Sequence, residues 1–192
     1  MKKIFTAVLI CFIAGAGAHL AADFYIGPVV TFSSNARAVF YAEDDLGGGP
    51  QEINNSIDVG FATRVSGRLL QLDALASWSR SGDNNIFCAE ITGGVRIALN
   101  NGRDAYYVSA GVGPALIFSP QDNGRTFVSN GRTGSFGDVL RSVPLIGKVS
   151  LAYESADGNV LDATLRGMPF EKSGRIFSDS WSIQVSYLIG LT

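Results

Sequence analysis

The sequence is short of several things, and each shortage excludes something. It has one histidine, His19, so no Ser-His-acid triad can form further along the chain. Of its two cysteines, Cys11 lies in an apparent leader, which leaves Cys88 without an intramolecular partner. Cys88 reads as a small packing residue. After the leader, no uninterrupted apolar run approaches the ~20 residues a helical span needs. Charged residues are only 17% of the chain and form no basic tract. The formal charge falls from −2 to −4 once Lys2 and Lys3 are removed, which argues against nucleic acid as a partner. Gly47, Gly48 and Gly49 are followed by no Lys-Ser/Thr pair, so they are not a phosphate cradle. Glu43, Asp44, Asp45 and Glu52 could meet a divalent cation but read more simply as a solvated acidic loop. No cofactor and no metal site are expected.

What is present begins with an export signal. Lys2 and Lys3 form a positive start, residues 4–13 an apolar stretch, and Ala16-Gly17-Ala18 a small-residue cleavage site. Residues 1–18 therefore read as a signal peptide and 19–192 as one domain. That domain has a clear period of two. In residues 180–192, Trp181, Ile183, Val185, Tyr187, Ile189 and Leu191 share one face, while Ser182, Gln184 and Ser186 share the other. Seven further strands follow the same rule, over 23–33, 55–65, 69–79, 86–99, 105–118, 139–154 and 159–167. Pro28 interrupts the first, and a bulge is expected there.

Two regularities join these strands into one design. Longer or polar connections follow the odd-numbered strands, and tight turns follow the even-numbered ones. The large aromatics also sort by depth on the apolar face. Phe32, Trp78, Phe87, Phe118 and Trp181 lie towards the long connections, and Phe24, Tyr106, Tyr153 and Tyr187 towards the tight turns. Two such belts suit the two interfaces of a membrane. The opposite face carries Asp58, Arg64, Asp73, Glu90, Arg96, Lys148, Glu154, Asp162 and Arg166. In a narrow barrel these nine charges would fill the lumen, where they must pair.

The chain resembles the small outer-membrane barrels, such as the transmembrane domain of OmpA and the OmpX-like proteins. The resemblance rests on the signal peptide, the eight alternating strands, the unequal connections and the aromatic-apolar last strand. It implies an all-β fold: an eight-stranded antiparallel transmembrane β-barrel after a cleaved signal peptide. It also implies residence in the cell outer membrane of a Gram-negative cell, with outer-membrane lipids, lipopolysaccharide and the barrel assembly machinery as partners. The chain ends on Leu191 and Thr192, where these proteins typically close on an aromatic residue. The expected role is structural or one of surface interaction, through adhesion or lipopolysaccharide contact at loops 34–54 and 119–138, without a large open pore. Arg125 and Arg132 are candidates there for lipopolysaccharide phosphates. A soluble lipocalin-like barrel holding a small apolar ligand is the alternative, and an outer-membrane lipid-modifying enzyme the third. With His19 beside the cleavage site, the chain is not expected to be an enzyme.

Overall fold

The structure, a computed structural model, describes residues 23–34, 56–81, 84–100, 102, 104–121, 124–129, 132–141, 143, 145–167 and 181–191. The expected signal peptide, His19 and the acidic cluster of residues 43–52 lie outside them. The elements in chain order are β1 (Asp23–Ser34), β2 (Ser56–Ser66), β3 (Leu70–Ser81), β4 (Asn84–Ala98) and β5 (Ala105–Gln121). They continue with β6 (Thr126–Ser129), β7 (Arg132–Gly134), α1 (Phe136–Arg141), β8 (Leu145–Glu154), β9 (Val160–Gly167) and β10 (Trp181–Gly190).

Eight strands, β1–β5 and β8–β10, close on themselves, every neighbour antiparallel. The stagger of the closure is read from the pairing. A path across paired residues runs from Phe24 through Val65, Leu72, Gly93, Val112, Gly147, Gly167 and Trp181. It returns to β1 at Ser34 rather than Phe24, ten residues further along. That shear over eight strands gives a strand tilt of ~40° and an interior only wide enough for side chains.

Alternation decides which face goes where. Along β10, Ile183, Val185, Tyr187 and Ile189 point out and Ser182, Gln184, Ser186 and Leu188 point in. Val185 is 39% exposed and its neighbour Ser186 2%. Ile26, Val59, Val95, Ile97, Val112, Val149, Leu151 and Leu165 are likewise exposed. A contiguous apolar exterior of this extent is not stable in water, and it girdles a polar interior, the inverse of a soluble barrel. The lipocalin-like alternative is therefore ruled out: its apolar face would have to line the lumen.

Tight turns join β2 to β3, β4 to β5 and β8 to β9. In the last, Ser155 N–H donates to Asn159 O (2.8 Å) and Gly158 N–H to Ser155 O (2.9 Å). Gly158 sits at φ 79°, which glycine adopts at little cost. Between β4 and β5, Asn100 closes the turn through its side chain, accepting from Tyr106 N–H and donating to Asp104 O, both at 2.7 Å.

Three expectations need correction. First, the polar segment 80–85 is mostly strand: Arg80 pairs with Asn85 and Ser81 with Asn84. The Trp78 indole N–H also donates to Asn85 Oδ1 (3.2 Å). Second, residues 139–141 belong to α1, so the strand expected from 139 starts at Leu145. The helix start is locally encoded, because Ser135 donates to Asp138 from its N–H (3.1 Å) and its hydroxyl (2.8 Å). Third, β1 has no bulge at Pro28. The register runs unbroken from Ile26↔Ile189 to Val29↔Ser186, and the ladder merely skips the pairs at Gly27 and Pro28. The same occurs between β4 and β5, where pairing skips Gly113 and Pro114. At both places a Cβ on the glycine would collide with the facing strand's backbone, at Tyr187 and Ile91 respectively.

Candidate functional site

Two regions concentrate polar or aromatic side chains: the lumen and the rim beyond β5. In the lumen the inward residues form three tiers. The tier nearest the tight turns centres on Arg96 (β4). Its Nη2 lies 3.0 Å from Glu154 Oε2 (β8), and its Nη1 donates to Ser66 Oγ at 2.5 Å. Its guanidinium lies 3.6 Å from the centroid of the Tyr107 ring, a cation–π contact. Tyr25 OH (β1) donates to Glu154 Oε1 (2.9 Å).

The middle tier joins four strands. Arg64 (β2) bonds Asp73 Oδ1 (β3) through Nε at 2.7 Å and Asp162 Oδ2 (β9) through Nη2 at 2.5 Å. Lys148 (β8) pairs with the other Asp73 oxygen, to which Gln71 also donates (2.8 Å). Thr164 donates to Asp162 Oδ1 (2.5 Å). All of these side chains are buried. The gap between Gln71, Asp73, Ser109 and Lys148 admits no sphere the size of water.

The upper tier holds Arg166 (β9), 3.1 Å from Glu90 Oε2 (β4). Arg166 also donates to Gln184 Oε1 (3.4 Å) and towards Cys88 Sγ (3.9 Å). Half-buried Asp58 (β2) interacts electrostatically with Arg166. Cys88 is buried. The structure thus places all nine sequence-identified charges on the inner face. Sequence reasoning missed the neutral partners Tyr25, Ser66, Gln71, Tyr107, Thr164 and Gln184, whose only signal was their inward parity.

On the outer face, Phe24, Phe32, Trp78, Tyr106, Trp181 and Tyr187 are exposed, and Phe87, Phe118 and Tyr153 are intermediate. Tyr106 and Tyr153 lie side by side, centroids 5.2 Å apart. At the other end Phe87 stacks on Phe118 (5.6 Å). Phe118 also meets Phe127 of β6 and Phe136 of α1 edge-on, at 5.9 and 6.0 Å. This cluster fastens the β6–β7 hairpin and α1 to the end of β5, and Phe127 and Phe136 were not singled out beforehand. Arg125 is exposed. Among the described residues, no three His, Cys, Asp or Glu side chains group as a metal site.

No protein-family model matches the chain, and no curated protein matches it by sequence. Among solved structures it is similar to Neisserial surface protein A (NspA), with a TM-score of 0.53 and 8% identity over 88% of this chain and 95% of that one. It is also similar to Ail, the attachment invasion locus protein of Yersinia pestis, solved in complex with the heparin analogue sucrose octasulfate. There the TM-score is 0.44 and the identity 13%, over 88% and 96%. For the outer membrane enzyme PagL the TM-score is 0.43 and the identity 12%, over 88% and 99%. At such identities the likeness speaks to the fold alone, and the fold is that of the small eight-stranded outer-membrane barrels. Together with the apolar girdle, it makes this chain an integral outer-membrane β-barrel. The expectation that the chain is not an enzyme is corrected here, because an outer membrane enzyme is among the proteins of similar fold. The position of His19 argued against one catalytic arrangement, not against catalysis on this scaffold.

Proposed function

We propose that this barrel is a closed scaffold, with a structural and surface-contact role exerted from its outer rim and lipid-facing surface. The observation that carries the reading is the middle lumen tier, where Arg64, Lys148, Asp73 and Asp162 fill the cross-section with mutually paired charge. Such a plug leaves no wide aqueous path. The nine inner charges would serve as a structural network, and the two sets of outer aromatics as interfacial anchors. On this reading residues 1–18 direct export and 19–192 form the barrel. Assembly machinery and outer-membrane lipids, lipopolysaccharide included, are its partners. Surface contact would use the rim bearing Arg125 and α1. The test is reconstitution of the purified full-length barrel into planar bilayers, with parallel binding of cells to lipopolysaccharide and host-matrix surfaces. The closed scaffold should show no steady conductance, and removing residues 121–136 should leave a folded barrel with weakened surface binding. Large, persistent channels, or unchanged binding by the folded deletion variant, would overturn it.

A further inference from the structure

The lipid-facing surface is not evenly built. Over most of it the outward residues are large, as with Val149, Leu151, Leu165 and Ile183. On β3 and β4 three alanines interrupt this: Ala76 pairs with Ala89, and Ala74 lies one outward step along β3. The result is a groove of about 550 Å³, with the alanines as floor, Phe61 and Leu116 as walls and Val143 at its upper end. The volume is that of a ligand cleft. The floor lies beside the step where β4–β5 pairing skips Gly113 and Pro114.

We propose that this groove holds one acyl chain of lipopolysaccharide, with the phosphorylated headgroup against the end of α1. The proposal rests on the outer-membrane reading above, with the long connections outside. The groove opens into the hydrocarbon girdle, so an acyl chain is its natural occupant. The gain is close packing against fixed walls rather than escape from water. The headgroup chemistry comes from what stands at the mouth. Val143 is two residues from Arg141, whose exposed guanidinium has Asp138 Oδ1 at 3.2 Å. Beside it α1 exposes Phe136 and Leu140. An apolar slot topped by a cation and an apolar helix face matches a lipid carrying both acyl chains and phosphate. The side bearing α1 faces the leaflet that holds lipopolysaccharide.

Native mass spectrometry of the full-length barrel, extracted from outer membranes in mild detergent, tests this. Wild-type protein should carry one lipopolysaccharide. Ala76→Phe and Ala89→Leu each fill the floor and should lower that occupancy about tenfold, the equivalent of ~1.4 kcal/mol. Ala163→Phe, also outward but on β9, should not change it. Arg141→Glu should release lipopolysaccharide while leaving any phospholipid adducts alone. Unchanged occupancy in both folded filling variants, a phospholipid in place of lipopolysaccharide, or a dimer mass lost on filling would overturn the proposal. Heat-modifiable gel migration of the same wild-type sample separately tests the barrel reading, and its absence would sink that reading rather than the groove alone. Should Ala76→Phe fail to fold, Ala89→Leu carries the comparison.

Discussion

Arg64 shows what one residue does in this lumen. It is buried and bridges Asp73 and Asp162, so its removal leaves Asp73 to Lys148 and Gln71, and strips from Asp162 the cation that pairs it, with the Thr164 hydroxyl remaining. Loss of one partner of a buried ion pair costs ~3–5 kcal/mol. Arg64→Met should therefore lower the unfolding midpoint in urea clearly, whereas Arg125→Met, at an exposed site, should barely move it. Equal shifts would mean that Arg64 is solvated. Alternation alone puts Arg64 and Asp73 on one face, and that much was legible. The third member was not: Asp162 reaches Arg64 only because the ten-residue stagger brings β9 across the lumen at that height. Tyr25 and Tyr107 were hidden for the same reason, since nothing local marks them as partners of Glu154 and Arg96.

Strands were the most legible elements, because a period of two survives even where composition is bland. Val185 and Ser186 make the test. Val185→Arg puts a charge on the lipid face, at a cost of ~2–4 kcal/mol near the midplane, and should reduce heat-modifiable barrel in the membrane. Ser186→Arg faces the lumen and should be better tolerated at assembly; the reverse order would reverse the faces. The helix α1 was illegible because Val139 keeps the outward parity of the next strand, and Arg141, which breaks that parity, reads as a charge at the strand's loop end. What holds them helical is the Ser135–Asp138 cap and the long-range contact of Phe136 with Phe118. The Ser135 hydroxyl and N–H hold the Asp138 carboxyl below the usual carboxylate range. A depressed folded value stabilises the cap above the unfolded value of ~3.9 and is lost as pH falls through the lower folded one. Protection of the Val139 amide, relative to its intrinsic exchange rate at each pH, should thus be high at pH 5 and fall selectively below ~3.9. A pH-independent protection factor would exclude the cap.

At the scale of the whole molecule, the sequence left open which face of the barrel looks inward, and the exposure of the apolar face against the buried charges decided it. The two Gly-Pro steps carry a further consequence. They weaken two ladders, β1–β10 and β4–β5, and these divide the eight strands into two sets of four: β1–β4, and β5 with β8–β10. Proline has no N–H to give, so each seam lacks rungs that the other six ladders can make. The barrel is then two stiff half-shells joined along opposite seams, softest in the direction that flattens its cross-section. Hydrogen–deuterium exchange in detergent should find its earliest mid-strand openings at Tyr187–Leu188 and Ile91–Thr92, facing the prolines. Uniform protection around the wall would mean a hoop with no preferred axis of breathing.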